Sequence, residues 1–318
     1  MTRKTRNSFL LLLTAAIWGF AFVAQSTGGD AIGSFSFNCI RSFIGAVFLI
    51  PVILLLDAKG LSRKPTTRAE RKKLLIAGIS CGAALCVATN LQQIGINLGA
   101  GAGKSGFLTA TYILIVPIFG IFFKRKCGLN IWIGVGIALV GLYLLCINES
   151  FRFAIEDLLL LLCALAFSIQ IMLVDYFAPK VDGVRLSCIQ FLSVGVFSLI
   201  PMLCTEIGFT VQSASSWLQA FDSISVWIAI LYAGIMSCGI AYTLQIIGQQ
   251  EVHPTVASLL MSFESVFSVI GGWVILHEHL SVRQLCGCGL IFVAVVLAQI
   301  NFSDIKQIRK YKNTKKFS

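Results

Sequence analysis

The fold is decided by residues 254–276, which read PTVASLLMSFESVFSVIGGWVIL. A helix needs about 20 mainly apolar residues to cross the hydrocarbon core of a bilayer, so this run predicts a transmembrane helix. Glu264 lies near its middle, where an ionised carboxylate costs roughly 2.5–3.5 kcal/mol or more. We expect this acid to be paired, protonated or facing water. An ionisable residue at this depth is a candidate functional site.

The two sides of this predicted helix differ in character. On a helix of 3.6 residues per turn, the face of Glu264 carries small and polar residues such as Gly271. That face predicts contact with protein or with a cavity, whereas Val266 and Trp273 on the opposite side predict contact with lipid. A buried structural ion pair or a protonated acid in the protein core remains the alternative interpretation of Glu264.

The composition excludes a soluble protein. The chain has 318 residues, of which 57% are hydrophobic and 12% charged, and its mean hydropathy is +0.87. A soluble domain carries about 25% charged residues. The net charge of +11 does not indicate nucleic-acid binding, because the basic residues form short clusters between apolar runs, as membrane topology requires. The cysteines fall mostly within apolar runs and are expected to be small buried side chains, with no metal site and no cofactor.

Ten apolar runs predict an all-α membrane protein of ten transmembrane helices. Each run is taken as one helix of about 20 residues. The basic N-terminus and the first run resemble a signal peptide, but the run is long and the internal repeat needs it, so we interpret it as a retained helix. A polar, basic tail follows at 302–318. The predicted helices span residues 8–27, 34–56, 74–98, 104–123, 130–147, 156–177, 185–205, 222–247, 254–276 and 282–301.

The distribution of Lys and Arg predicts the orientation of these helices. With the N-terminus inside, 21 of the 25 basic residues fall on the cytoplasmic side. Cytoplasmic loops carry an excess of Lys and Arg, so the pattern predicts that both termini are cytoplasmic and that the number of helices is even. We expect an integral protein of the bacterial inner membrane.

The two halves of the chain resemble each other. An offset of 153 aligns residues 91–95 with 244–248, Ser105 with Ser258, and Gly134 with Gly287; an offset of 149 aligns 39–48 with 188–197. The chain is therefore predicted to contain two five-helix repeats, at 8–147 and 156–301. Because five is odd, the second repeat enters the membrane inverted. Inverted repeats with a site at the midplane are typical of secondary transporters that work by alternating access. An ancient duplication in a membrane protein that does not transport is the alternative.

A set of short motifs runs in order through the ten predicted helices. They are Trp18-Gly19, Phe37-Asn38 with Arg41, Gln92-Gln93 with Gly95, Gly103-Lys104, Tyr112, Pro117, Asp175, Gln190-Phe191, Tyr242 with Gln245, Pro254, Ser262-Phe263-Glu264 and Glu278. In these motifs the chain resembles the drug/metabolite transporter superfamily, in its EamA branch, over residues 8–301. The chain has Ser265 where many members have Pro, and His277 where many have Gly. The resemblance implies a carrier of small metabolites or amino acids, often an exporter.

Two basic residues are candidates for binding a negatively charged solute. Arg41 lies about 10 Å inside the outer end of the second predicted helix, and its guanidinium offers a planar fork to a carboxylate or phosphate. Lys104 follows a glycine-rich segment at a helix N-terminus, which favours anions. Snorkelling of Arg41 to the interface and anchoring by Lys104 are the alternatives. Together with Glu264, these two residues suit a zwitterion or a carboxylate.

Polar and aromatic residues within the apolar runs are further candidates. Glutamines such as Gln92, Gln190 and Gln245 are expected either to line a wet cavity or to join helices through hydrogen bonds. The aromatic residues expected to wall a cavity are Trp18, Tyr112, Tyr242 and Phe263.

The sequence favours a secondary transporter that binds a small-molecule substrate within the lipid bilayer. We hypothesise that Glu264 couples the transport of a proton. Pro117 frees a backbone carbonyl and is a candidate gating residue, as is Glu278. No pattern typical of an intramembrane enzyme is present, so no catalytic residue is expected. A non-transporting membrane receptor or assembly partner is the alternative function.

Overall fold

The computed structural model describes residues 3–100, 102–122, 128–146, 154–208, 211–275 and 281–299. These residues are almost entirely helical, and the described part of the chain contains no strand. The helices are α1 (Arg3–Ile32), α2 (Ser34–Ala58), α3 (Arg68–Gly95), α4 (Ala102–Ala110), α5 (Tyr112–Phe122), α6 (Leu129–Cys146), α7 (Ile155–Phe177), α8 (Gly183–Pro201), α9 (Val211–Gln219), α10 (Ile224–Leu231), α11 (Tyr242–Gly248), α12 (Pro254–Met261), α13 (Glu264–Ile275) and α14 (Val282–Gln299).

Eight helical segments of the described chain are long and apolar enough to cross a membrane, and two apolar helices are shorter. Their outer surfaces carry large apolar side chains, such as Val47 and Leu54, which are 61% and 62% exposed. Apolar surface of this kind is expected where helices face lipid rather than water. The eight segments are Thr5–Phe22, Ser34–Ala58, Arg68–Ala100, Ser105–Phe122, Ile155–Lys180, Gly183–Ile207, Ile224–Gly248 and Pro254–Gly271, and the shorter helices are Leu129–Leu145 and Val282–Ala298.

Local chemistry explains where some helices begin. Helix α3 starts six residues before its predicted start because Thr67 and Glu70 form a capping box, in which each side chain binds a backbone amide of the first turn. Helix α8 begins after Asp182, whose carboxylate accepts a hydrogen bond from the Arg185 amide at 2.9 Å. Short helix α9 was not predicted, since its sequence is too polar to resemble a membrane span.

Helices of the two halves pack against each other in matching pairs. Helix α1 packs on α10, α11 and the segment between them. Helix α7 corresponds to α1 in the second half, and it packs on α3 of the first half. Helices α2 and α8 pack together, and so do α6 and α14. A Cβ atom added to Gly134 would lie 3.0 Å from the Ala294 carbonyl oxygen, and one added to Gly287 would lie 2.6 Å from that of Gly141. The offset of 153 exchanges these two contacts.

Polar contacts join α2 to α8 and to the helical segment Met202–Ile207 that follows α8. At one end, Arg185 donates hydrogen bonds to the two carboxylate oxygens of Asp57 at 2.5 and 2.7 Å. At the other end, Glu206 accepts hydrogen bonds from the amides of Phe35 and Ser36, at 2.8 and 2.6 Å, in the first turn of α2. A carboxylate there satisfies amides that have no partner within the helix. The two helices are therefore antiparallel and fixed in register.

Candidate functional site

A short turn interrupts the regular hydrogen bonding of two predicted helices at matching places, and each helix still forms one span. The turn lies at Thr111 in the predicted helix 104–123 and at residues 262–263, next to Glu264, in the helix 254–276. The offset of 153 aligns Thr111 with Glu264. At each break a hydroxyl group bonds a carbonyl oxygen three residues earlier: Thr111 to Leu108 at 2.6 Å, and Ser262 to Leu259 at 2.8 Å. Such bonds compete with the regular helical pattern.

The residues that follow these two turns meet. Tyr112 begins α5 and Glu264 begins α13. The Tyr112 hydroxyl donates a hydrogen bond to Glu264 Oε1 at 3.2 Å. Glu264 is only 6% exposed, and among the described residues no salt bridge to it occurs.

One side of α13 is not exposed along its whole length. Trp273 is 53% exposed, as the helical wheel predicted, but Val266 is 8% exposed and belongs to the largest apolar core. The prediction that Val266 meets lipid is wrong. Val266 and Trp273 share a face of α13 but lie two turns apart, and only the level of Val266 is covered by packed neighbours.

A small cavity of about 30 Å³, enough for about two water molecules, lies beside Tyr112 and Glu264. Its walls come from α1, α2, α3, α4, α5, α7, α11, α12, α13 and the segment between α10 and α11. Six of the eight predicted substrate-binding residues line it: Arg41, Gln92, Tyr112, Tyr242, Gln245 and Glu264.

Arg41 is buried in the cavity wall without a compensating acid. It is 4% exposed, and its guanidinium carbon lies 5.2 Å from the ring centre of Phe37 on the same helix. Within the described residues no carboxylate lies within ion-pair distance, and the buried Nε atom has no hydrogen-bond partner. Arg41 therefore does not snorkel to an interface, and its guanidinium is available to a group that enters the cavity.

Three glutamines form a ladder that ends at the cavity. Gln245 donates a hydrogen bond to Gln170 at 3.2 Å, and Gln170 donates one to Gln190 at 3.3 Å. Gln190 is fully buried behind Gln170, which does not line the cavity. The ladder uses the amide nitrogen of Gln245, whose buried Oε1 atom has no hydrogen-bond partner in the described chain. On another wall, Gln92 donates to the Thr109 hydroxyl at 3.3 Å.

Aromatic rings form part of the cavity wall. The rings of Trp18 and Tyr242 lie 4.5 Å apart between centres, and Phe191 packs edge-on against Tyr242 at 5.2 Å. Tyr112 packs against Phe167 at 6.5 Å. Offset and edge-on arrangements are the favoured geometries for aromatic pairs, so these contacts hold the rings of the cavity wall in fixed positions.

Not every predicted residue belongs to this cavity. Phe263 is not among its lining residues, and Pro117 lies buried within α5, beyond the break. The side chain of Lys104 and all of Glu278 lie outside the described residues.

Other lining residues were not singled out from the sequence. Gln25 could have been found, because it is a polar residue within the first apolar run. Small hydroxyl residues and apolar residues within such runs do not indicate a cavity in this way. The residues missed are Phe22, Gln25, Thr109, Phe167, Ile171, Ser237 and Met261.

The sequence profile of the EamA-like transporter family matches this chain twice, at residues 6–147 and 154–299. The two matches cover nearly the whole chain. The chain belongs to the EamA-like transporter family. It is consequently an integral membrane protein of a transporter family, for which a small-molecule substrate is the expected ligand.

Proteins named only as transporters are similar over most of their length. An uncharacterized transporter of Archaeoglobus fulgidus is 26% identical over 296 residues, covering 91% of this chain and 84% of the relative. The uncharacterized transporter YoaV of Bacillus subtilis is 24% identical, covering 93% of this chain and 97% of the relative. A solved crystal structure shares the fold, with a TM-score of 0.74, 19% identity, and coverage of 93% of this chain and 96% of the solved one.

Proposed function

We propose that this protein is a secondary transporter that moves small metabolites across the membrane by alternating access. The observation that carries the proposal is the buried polar cavity beside Tyr112 and Glu264, which follow matching turns in one helix of each half. Secondary transporters built from two repeats typically have their substrate site between the repeats.

The proposal includes ten spans arranged as two inverted repeats, at residues 8–147 and 156–301, with a separate tail at 302–318. The double match to the family profile supports two repeats. The exchanged contacts of Gly134 with Ala294 and of Gly287 with Gly141 support an approximate two-fold axis between them. Repeats related in this way offer two equivalent packing arrangements, one open to each side.

We place both termini in the cytoplasm. The start of α1 lies beside residues 247–251, since Asn7 donates to the Ile247 carbonyl oxygen and Arg3 pairs with Glu251. At this end of the bundle the 57–73 loop, rich in Lys and Arg, meets Arg185 through Asp57. An excess of basic residues marks the cytoplasmic side. We propose the bacterial inner membrane as the location and export as the direction, in line with the family resemblance.

We further propose that Glu264 carries a proton during the cycle. It is the one carboxyl group among the described residues lining the cavity. An ionised acid at this depth is costly, so its ionisation is expected to change as the cavity gains and loses water or solute. Tyr112 donates a hydrogen bond to this carboxyl group and so holds it in place at the cavity.

Proteoliposomes test these proposals. The protein is reconstituted with a defined mixture of amino acids and short carboxylates inside, and counterflow of the same labelled mixture is measured together with internal pH. We expect counterflow by the natural protein and proton movement when a solute gradient is imposed. Glu264→Gln should abolish the proton movement and preserve counterflow, while Glu251→Gln, an exposed acid outside the cavity, should change neither.

Two outcomes would contradict the proposals separately. Undiminished solute-driven proton movement in Glu264→Gln would exclude the coupling role. Absence of counterflow in folded natural protein would exclude transport of these solutes and favour a receptor or assembly role.

A further inference from the structure

A large apolar groove lies on the outside of the bundle, where α7 passes α5. Its volume is about 630 Å³, within the range of about 300–1,000 Å³ that is typical of ligand pockets. Ile169 and Tyr176 are 43% and 56% exposed, so the groove opens toward the surroundings of the helices. The described apolar and aromatic residues that line it are Phe119, Ile169, Met172, Leu173, Tyr176 and Phe177. The remaining described lining residue, Asp175, is 8% exposed and presents little surface to an occupant.

A basic pocket begins where this groove ends. The Lys180 ammonium group, just beyond the end of α7, lies 3.0 Å from the ring centre of Tyr176, which lines the groove. Lys180 also lines a second pocket, of about 50 Å³, together with Arg63 and Lys64 from the loop that follows α2. Arg63 is held there by a hydrogen bond from Nη1 to the Pro179 carbonyl oxygen at 3.2 Å. Three cations therefore line a pocket that is continuous with the apolar groove.

The acids of the basic pocket are engaged by backbone amides. The Glu70 carboxylate accepts hydrogen bonds from two amides just before α3, at 2.8 and 3.3 Å. Asp182 accepts hydrogen bonds from the amides of Arg63 and Arg185, both at 2.9 Å. None of the three cations forms a salt bridge within the part of the chain that the structure describes. The pocket thus keeps an excess of positive charge that an anion can neutralise.

The two features together specify the kind of ligand. A phosphate group supplies the negative charge and the acceptor oxygens that the three cations require. The neighbouring groove requires apolar chains, and its residues 169–177 extend over roughly 12 Å of helix. Under the orientation proposed above, this end of the bundle meets the cytoplasmic leaflet, whose anionic lipids attract basic segments. A phospholipid carries both groups in one molecule.

We propose that an anionic phospholipid of the cytoplasmic leaflet binds at this site, with its phosphate at Arg63, Lys64 and Lys180 and one acyl chain in the groove. The site takes groups from both halves of the chain, since Arg63 and Phe119 belong to the first and Lys180 and α7 to the second. Bound lipid should therefore stabilise the packing of one half on the other. The proposal uses the cytoplasmic orientation but does not depend on which solute is carried.

Lipids that share the same acyl chains test the headgroup. The full-length protein is purified in a neutral detergent and stripped of lipid, and its thermal stabilisation is measured against added lipid concentration. Dioleoylphosphatidylglycerol is anionic and dioleoylphosphatidylcholine is zwitterionic, while glycerol phosphate carries the anion without chains. We expect the anionic lipid to bind at least about fivefold more tightly than the zwitterionic one. Glycerol phosphate should give no stabilisation at the same concentrations.

Substitution of two cations locates the headgroup. The double variant Lys64→Gln with Lys180→Gln should weaken binding of the anionic lipid by about 5- to 30-fold and bring it close to the zwitterionic lipid. The matched control is Lys59→Gln with Lys72→Gln, which removes the same charge from the same loop at exposed residues outside the pocket. It should change binding of the anionic lipid by less than about twofold.

Substitution in the groove locates the acyl chain. Ile169→Trp adds bulk inside the groove and should weaken binding of both lipids while leaving the preference for the anionic headgroup. Leu165→Trp is the control, because Leu165 lies one turn earlier on α7, is 38% exposed and does not line the groove. It should leave both affinities unchanged.

The ranking of lipids by the natural protein decides the proposal even where a variant fails to fold. Equal affinity for the two lipids would overturn it, and so would stabilisation by glycerol phosphate equal to that by the anionic lipid, which would indicate a site for free phosphate. Equal losses in the two double variants would also overturn it, because they would indicate a general effect of surface charge. Counterflow in the liposome assay is measured separately, so failure of the lipid site would leave the transport function standing.

Discussion

The crossing of α6 and α14 allows a test of why glycine is required where the two halves touch. A Cβ atom on Gly287 would lie 2.6 Å from the Gly141 carbonyl oxygen and 2.8 Å from the Leu145 backbone nitrogen. Ordinary contact begins at 3.4 Å, so the helices would have to separate by about 0.8 Å. Both obstacles are backbone atoms, which cannot move aside as a flexible side chain can.

The magnitude follows from comparing Gly287→Ala with a matched control. Gly289→Ala lies on the same helix, and a Cβ atom there meets nothing within 4 Å. Both substitutions gain about 1 kcal/mol of helix propensity, which cancels in the comparison. The difference in free energy of unfolding is then the cost of overpacking, about 1–3 kcal/mol, with Gly287→Ala the less stable.

Thermal unfolding of the purified protein in detergent measures this difference. We expect Gly287→Ala to unfold at least about 2 °C below Gly289→Ala. Gly136→Ala, with equally open space, provides the second control on α6, and Gly134→Ala, with its nearest backbone atom at 3.0 Å, should fall between the extremes. Equal unfolding temperatures for Gly287→Ala and Gly289→Ala would refute the claim that close backbone approach requires glycine at this crossing.

Two further predictions concern the polar contacts between α2 and α8, and both use thermal unfolding. Glu206→Ala removes the carboxylate that caps α2 and should cost about 1–2 kcal/mol, whereas Thr205→Ala, whose exposed hydroxyl bonds only within its own helix, should change stability by less than about 0.5 kcal/mol. A similar loss for both would contradict the capping role. Asp57→Asn breaks the pair with the half-buried Arg185 and should lower the unfolding temperature more than Glu251→Gln, whose partner is 81% exposed; the reverse order would count against this pair as a structural contact.

The location of the candidate site follows in large part from the sequence, because charge and repetition are visible there. Glu264 was identified as a candidate because it is a carboxylate within an apolar run, and the offset of 153 aligned it with Thr111. Those two positions lie at the two helix breaks, although the breaks themselves were not predicted. A hydroxyl group bonds the carbonyl oxygen three residues earlier at each turn, but Ser258 makes the same bond within the regular helix α12, so a hydroxyl residue in the sequence does not by itself mark such a turn.

The role of an individual polar residue near the cavity depends on its neighbours in the folded chain, and the helical periodicity of the sequence does not reveal those neighbours. Gln190 and Gln245 look alike in the sequence, yet Gln190 is buried behind the wall and Gln245 lines the cavity. Gln25 lies near the end of the first predicted helix and was not singled out, but it lines the same space as Arg41. Which glutamine joins helices and which faces solute is decided by the neighbours that use its amide.

The sequence by itself determined that this is a membrane protein of repeated apolar helices, because burial in a bilayer imposes length and composition on every span. It also indicated where charge enters the membrane, at Arg41 and Glu264. Only the tertiary structure decided that Glu264 meets Tyr112 and that Arg41 has no acid beside it in the described chain. Those relations arise from helix breaks and from the packing of one half on the other, which bring together residues more than a hundred positions apart.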